Sequence, residues 1–103
     1  MGLSAIGRYD HDTTQLAAWE PGQECGVQEP TFVARQNGAK EGDGYLIALV
    51  NRLAENRSDI VILDAQRLGE APIATLRLPV RVRSTFHGMW VPQRTLQSGR
   101  YDA

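Results

Sequence analysis

Tyr45-Leu46-Ile47-Ala48-Leu49-Val50 is the stretch that decides the fold. This apolar run is too short for a stable helix, and it suits a β-strand that is covered on both faces. A second run of the same kind, Ile60-Val61-Ile62-Leu63, follows after a polar turn. Two adjacent strands of this type need packing partners on both sides of their sheet.

The rest of the chain reads as short strands joined by turns. The polar cluster Asp10-His11-Asp12-Thr13-Thr14 predicts a tight connection between two antiparallel strands, with His11 solvated in the turn. Pro30 cannot donate to a strand ladder, so it indicates a strand start or an edge and places Glu29 at a strand entrance. A helical turn closed by Gly69 is predicted from residue 64. The predicted strands cover residues 5–9, 15–19, 27–35, 45–50, 60–63 and 73–79.

This succession of short strands is typical of an all-β antiparallel protein, either a sandwich or a piece of a propeller built from four-stranded blades. The outer faces of a small sandwich should be polar, whereas a propeller blade packs between two neighbouring blades. The two apolar runs therefore favour the propeller.

Length and charge exclude several classes of function. The 103 residues are enough for one domain. A net charge of -1 provides no field that would recruit nucleic acid or an anionic membrane. Cys25 is the only cysteine, which excludes an internal disulfide and a Cys-x-x-Cys metal pair. No apolar run approaches the roughly 20 residues of a membrane span and no secretion signal is evident, so we expect a cytoplasmic location.

His87 is the candidate metal ligand, within the segment Ser84-Thr85-Phe86-His87-Gly88-Met89-Trp90-Val91-Pro92. Neutral imidazole is the commonest protein ligand for iron, zinc and copper. A histidine among aromatic residues is also compatible with a partly buried core residue bonded to a backbone carbonyl. Glu29 has two interpretations as well, a surface charge or an inward-facing acceptor. The residues alone leave both pairs of alternatives open.

Five ordered blocks of sequence resemble the C-terminal end of the carotenoid cleavage oxygenases, a family that includes the lignostilbene dioxygenases and the retinoid isomerase. The resemblance runs from about Ile6 to Pro92, and the order of the blocks is more specific than any one of them. The blocks are Glu29-Pro30-Thr31-Phe32-Val33, Glu41-Gly42-Asp43-Gly44 with the following apolar run, Ile60-Val61-Ile62-Leu63-Asp64-Ala65, Ile73-Ala74-Thr75-Leu76-Arg77-Leu78-Pro79 and Phe86-His87-Gly88-Met89-Trp90.

The resemblance implies a seven-bladed β-propeller with a non-haem Fe(II) on its axis, held by four histidines of which three are backed by glutamates. By this resemblance His87 is the last iron-binding histidine and Glu29 is the glutamate that accepts a hydrogen bond from such a histidine. A carboxylate in that position fixes the tautomer and orientation of the imidazole. The only other histidine, His11, matches no ligand position. We therefore expect residues 1–92 to form the last blade and part of the preceding one. Residues 93–103 are polar with no apolar period, so we expect a disordered tail there.

The activity implied by the resemblance is cleavage of a C=C double bond by O2 in a carotenoid, apocarotenoid or stilbene-like substrate. The isolated chain is expected to be inactive, because one family histidine cannot hold catalytic iron. Its uncovered strand faces predict contact with missing upstream blades or self-association. The alternative is a non-catalytic β module, or a remnant, that acts only as a binding or structural unit.

Overall fold

The computed structural model describes residues 5–82 and Val91 of the chain, and every strand pairing among them is antiparallel. A single 3-10 turn at Leu53–Glu55 is the only helical element in this part of the chain. These features confirm the predicted all-β antiparallel class. The strands are β1 (Ile6–Asp10), β2 (Gln15–Trp19), β3 (Cys25–Val27), β4 (Thr31–Ala34), β5 (Gly44–Arg52), β6 (Arg57–Asp64) and β7 (Ala74–Arg77).

The pairing of β5 with β6 forms the centre of a five-stranded sheet. It runs through eight residue pairs, from Tyr45 opposite Asp64 to Arg52 opposite Arg57. Strand β7 pairs with the other edge of β6, while β3 and β4 share the far edge of β5. Among the described residues, no helix is long and apolar enough to cross a membrane.

Strands β1 and β2 form the predicted hairpin as a separate two-stranded sheet. Its turn is closed by Asp10, whose Oδ1 accepts hydrogen bonds from the amides of Asp12 at 2.9 Å and Thr13 at 3.3 Å. His11 is exposed in this turn, as predicted. Short side chains that bond to nearby amides favour such turns.

The core lies on one face of the five-stranded sheet. Val50 and Val61 are fully buried there, and Leu63 and Val27 are nearly so. Ile6, which lies opposite Trp19 in the hairpin, joins this cluster, and Trp19 packs against it. The end of the β1–β2 hairpin that carries Ile6 and Trp19 therefore packs against this face of the sheet.

The opposite face of the sheet is only half-buried. Ile47, Leu49, Ile60 and Ile62 project there, because each alternates along its strand with a residue of the core face, and all four have intermediate exposure. The prediction of apolar strands is confirmed, but the predicted cover is present on one face only within the described part of the chain. The hairpin and the segment that carries Leu68 both pack on the core face.

The connection after β6 differs from the predicted helical turn. It consists of two successive hydrogen-bonded turns, in which the amide of Arg67 donates to the carbonyl of Asp64 and the amide of Glu70 donates to that of Arg67, each at 3.0 Å. The carboxylate of Asp64 also accepts the amide of Gln66 at 2.9 Å. Such a local side-chain bond competes with helix formation. The predicted segment around His87 and the predicted tail at 93–103 lie outside the described residues.

Gly44 allows β4 and β5 to approach each other closely. It lies opposite Ala34, and a Cβ at this position would collide with the Val33 carbonyl oxygen and lie 2.8 Å from Cζ of Phe32. We expect Gly44→Ala to lower the free energy of unfolding by about 1–3 kcal/mol, the usual cost of overpacking. Urea denaturation measures this change.

Gly69→Ala is the matched control, because a Cβ there meets nothing within 4 Å. It should leave stability unchanged or raise it by up to about 1 kcal/mol. Equal losses of unfolding free energy in the two variants would show that the close approach of β4 to β5 does not require a glycine at position 44.

Candidate functional site

Glu29 lies in a β-bulge between β3 and β4. Val27 pairs with Val50 and Thr31 pairs with Ile47, so the edge strand advances four residues while β5 advances three. Across this interruption the amide of Gln28 donates to the carbonyl of Leu49 at 2.9 Å. The edge strand thus contains one extra residue, an arrangement that bends a strand and redirects its side chains.

Pro30 explains where the bulge forms. Proline has no N–H to donate, so it disturbs a strand ladder least when it lies on an edge strand. Here Pro30 lies on the edge, directly before β4 begins. This confirms the predicted position of Pro30. Glu29 immediately before it is exposed. The sequence therefore placed Glu29 correctly at a strand entrance.

The segment that leaves β7 is tied to the β5–β6 hairpin. The amide of Leu78 donates to the carbonyl of Ser58 at 3.0 Å, and the amide of Val82 donates to the Ser58 hydroxyl at 2.8 Å. Arg81 donates from Nη1 to Asn56 Oδ1 at 2.8 Å. His87, five residues after Val82, lies outside the described residues, so its pairing with Glu29 stays a prediction.

A buried carboxylate lies between two arginines on the core face. Asp59 is fully buried, and its oxygens accept hydrogen bonds from Nε of Arg52 at 2.7 Å and from Nε and Nη2 of Arg57 at 3.0 Å. Burial raises the pKa of Asp59, but the bonds from the two arginines outweigh it and hold the pKa below its ordinary value. Arg52 and Arg57 are directly opposite each other, so Asp59 also relieves their repulsion.

A second ionic cluster lies on the surface at the other end of the sheet. Arg35 contacts Asp43 at 2.7 Å, Asp64 at 3.2 Å and the Tyr45 hydroxyl at 2.9 Å. The hydrogen bond from the amide of Gln66, with a smaller contribution from the bond of Arg35, holds the pKa of Asp64 below its ordinary value. Because these groups are partly exposed, solvent screens the cluster and its contribution to stability is small.

A cleft of about 590 Å³ lies between the β1–β2 hairpin and the sheet. Its lining combines aromatic rings with charged side chains, namely Arg8, Tyr9, His11, Phe32 and Glu41. The rings of Tyr9 and His11 meet edge to face, with centroids 4.8 Å apart. Within residues 5–82 and Val91, no group of three or more His, Cys, Asp and Glu side chains could hold a metal ion. His11 thus takes part in no metal cluster there.

The sequence analysis did not predict that the polar residues Asn51, Ser58 and Asp59 are buried and hydrogen-bonded. The residues directly before Ile60 were predicted to be a polar turn, whereas β6 already begins at Arg57. The sequence does place two arginines, Arg52 and Arg57, before Asp59, and a carboxylate near two arginines can accept hydrogen bonds from both. This signal could not be used without the strand register, because Arg52 belongs to a different strand.

Comparison with known proteins adds a family match. The sequence model described as Retinal pigment epithelial membrane protein matches residues 1–92. Isoeugenol monooxygenase of Pseudomonas nitroreducens is 47% identical over 90 residues, which cover 87% of this chain and 19% of that protein. The chain therefore spans about a fifth of the length of this relative.

Two solved structures share the fold of the chain. The lignostilbene dioxygenase of Pseudomonas brassicacearum superposes with a TM-score of 0.84 at 40% identity, over 88% of this chain and 19% of that one. Cobalt-substituted apocarotenoid oxygenase of Synechocystis gives a TM-score of 0.81 at 34% identity, with the same coverage of 88% and 19%. The similarity thus extends over most of the chain in both sequence and structure.

Asp59→Asn tests the buried ionic cluster. The substitution leaves two arginines facing each other with a single neutral acceptor between them, so we expect a loss of about 3 kcal/mol in the free energy of unfolding at pH 7. Asp12→Asn, at an exposed turn position, should change it by less than about 0.5 kcal/mol. Urea denaturation of both variants gives the comparison, and a neutral Asp59→Asn would contradict a stabilising role for the cluster.

The same cluster predicts a pH dependence. The pKa of Asp59 is lower in the folded chain than its ordinary value of 3.8. Its contribution to stability is therefore present above the unfolded value and is lost as the pH falls through the folded value. The stability difference between wild type and Asp59→Asn should be constant from about pH 7 to 5 and shrink below about pH 4. Denaturation curves across this range measure it, and a difference that grows in acid would contradict the assignment.

Proposed function

The chain belongs to the carotenoid oxygenase family represented by Retinal pigment epithelial membrane protein, and we propose that it supplies the part of a non-haem Fe(II) dioxygenase that carries the iron ligand His87 and its partner Glu29. The proposed reaction cleaves a C=C double bond with O2, so that each carbon of the bond becomes a carbonyl carbon and both oxygen atoms enter the products. The named relatives are oxygenases, which supports an enzymatic role.

The bulge at Glu29 is the observation that carries the proposal. It places a carboxylate outside the ladder on the edge of the sheet, where a residue from another segment can approach it. Bulges are over-represented at sheet edges and next to active sites.

The path of the chain allows His87 to reach Glu29. Ser58, which holds Val82, lies two strand spacings, or about 10 Å, from the edge that carries Glu29. Along the strand direction the bulge is level with the pair of Leu49 and Ile60. Ser58 is two residues from Ile60 on β6, which adds a displacement of about 7 Å. The two backbones are thus roughly 12 Å apart in the sheet. Five residues of extended chain span up to about 17 Å. The segment from Val82 to His87 is long enough for the proposed pairing.

The proposed role of Glu29 is to accept a hydrogen bond from one ring nitrogen of His87. This bond keeps the proton on that nitrogen and leaves the other nitrogen free to bind a metal. Bound Fe(II) would supply the centre at which O2 and the double bond react. Glu29 would also orient the ring, since a carboxylate behind an imidazole restricts its rotation.

The half-buried sheet face supports a place within a larger propeller. We propose that residues 1–92 form the last blade and part of the preceding one of seven blades. The apolar side chains on that face would be covered by upstream blades or by a second copy of the chain, since a blade packs between neighbours. These side chains are Ile47, Leu49, Ile60 and Ile62.

The proposed substrate is an apolar or aromatic polyene or stilbenoid. The relatives named for isoeugenol, lignostilbene and apocarotenoid support this class. The chain alone is proposed to be inactive, because its two histidines are too few for the family's iron site and His11 lies in an exposed turn.

A chimeric enzyme tests the proposal. Residues 1–92 would replace the matching segment of the Pseudomonas brassicacearum lignostilbene dioxygenase, to which the chain is similar over 88% of its length. We expect the chimera to bind iron and cleave a stilbenoid. His87→Ala should remove bound iron, and Glu29→Gln should weaken iron binding by about 10–100-fold, as for other groups that orient a metal ligand. Metal analysis and iron titration measure both effects.

Glu20→Gln, at an exposed position, is the matched control and should bind iron as the parent chimera does. Full iron content in His87→Ala would show that the ligand assignment is wrong. Equal affinities for Glu29→Gln and Glu20→Gln would show that the pairing is wrong. A folded chimera that binds no iron would favour the non-catalytic β module.

A further inference from the structure

We propose that the cleft between the β1–β2 hairpin and the sheet binds a neutral phenol, that is, an aromatic ring that carries a hydroxyl group. Its volume of about 590 Å³ lies within the range of roughly 300–1,000 Å³ that is typical of small-molecule sites. Residues of β1, β4 and the loop before β5 line it, and Glu29 is not among its described lining residues. The proposal therefore does not depend on the role proposed for Glu29.

Arg8 is the polar group that the cleft holds in a fixed position. Its Nη1 donates to the carbonyl of Ala65, a buried residue directly after β6, at 3.0 Å. Its Nη2 lies so close to Gly42 that a Cβ at position 42 would come within 2.8 Å of it. No ion pair among the described residues includes Arg8. The guanidinium therefore keeps free N–H groups, since only one of its five is used in this part of the chain.

A carboxylate lies close to this guanidinium. Glu41 is exposed, lines the same cleft and directly precedes Gly42, next to which the Arg8 guanidinium lies. An anionic ligand would be attracted by Arg8 but repelled by Glu41 and by Asp12 of the hairpin turn, and a cationic ligand would meet the positive charge of Arg8. A neutral hydroxyl can accept a hydrogen bond from Arg8 and donate one to Glu41. The charges of the lining therefore favour a hydroxyl over an ion of either sign.

Exposed aromatic rings form much of the apolar part of the lining. Phe32 is 44% exposed and Tyr9 is 52% exposed, and both line the cleft. The ring of Tyr9 meets the ring of His11 edge to face. Leu46 adds an aliphatic surface. A planar aromatic ligand can cover these side chains and gain ring–ring contacts that an aliphatic ligand lacks.

Titration of the 103-residue chain with p-cresol tests the site. We expect saturable shifts in the NMR signals of amides that line the cleft, such as those of Phe32 and Leu46, and no shifts at Val50 or Ser58. The methyl ether of this probe, p-methylanisole, cannot donate to Glu41 and should bind about tenfold more weakly, as for the loss of one hydrogen bond to a charged group. Cyclohexanol keeps the hydroxyl but has no aromatic ring, so it should also bind more weakly than p-cresol.

Two glycine variants form a matched pair. Gly42 and Gly38 both have a left-handed φ, +82° and +79°, so alanine causes similar backbone strain at the two positions. A Cβ at position 42 displaces the Arg8 guanidinium, whereas a Cβ at position 38 meets nothing within 4 Å. We expect Gly42→Ala to bind p-cresol about tenfold more weakly than Gly38→Ala, because it loses the hydrogen bond from Arg8. Arg8→Met should show the same loss of affinity.

Several results would overturn the proposal. Equal affinities of Gly42→Ala and Gly38→Ala for p-cresol would show that Arg8 takes no part in binding. Tighter binding of p-toluate or of p-methylbenzylammonium than of p-cresol would show that the cleft selects an ion. Shifts that do not saturate, or that spread over the whole sheet, would show that the cleft is not a binding site. The titration uses neither iron nor the chimera, so a failure here leaves the proposed function standing.

Discussion

The antiparallel pairing of β5 with β6 is the interaction on which the other contacts depend. Its eight residue pairs place Val50 and Val61 on one face, where the β1–β2 hairpin packs, and Asn51 and Ser58 on the other, where the segment after β7 is held. A shift of the register by one residue would exchange the two faces. It would expose the core and bury the wrong polar groups, so both the hairpin and the returning segment would lose their sites.

The extra residue in the edge strand has a comparable effect on a smaller scale. Because of it, Val27 and Phe32 share the core face although they are five residues apart, an odd separation that a regular strand would place on opposite faces. The same residue releases Glu29 from the ladder. A backbone irregularity thus does two things at once, since it keeps β4 in register with β5 and presents a carboxylate at the edge of the sheet.

Local patterns in the sequence predicted what depends on near neighbours. The Asp10 turn, the strand break at Pro30 and the apolar runs of β5 and β6 were all confirmed, because each follows from the chemistry of adjacent residues. The polar contacts of Ser58 and Asp59 were not predicted. Apart from the bonds between Arg57 and Asp59, they join residues 7 to 24 positions apart, such as Arg52 with Asp59 and Val82 with Ser58. They depend on which strands pair and in what register. Residue types without the register do not specify such contacts.

The half-buried sheet face links stability to the proposed site. Burying an Ile or Leu side chain fully contributes about 1.5–3 kcal/mol, so four half-covered side chains on this face leave several kcal/mol unrealised. That amount is comparable to the 5–15 kcal/mol by which domains are typically stable. In the proposed propeller, the surface that covers this face belongs to the same assembly that provides the remaining histidines. Assembly into that propeller would therefore add to the stability of the chain and complete its set of iron ligands through the same contact surface.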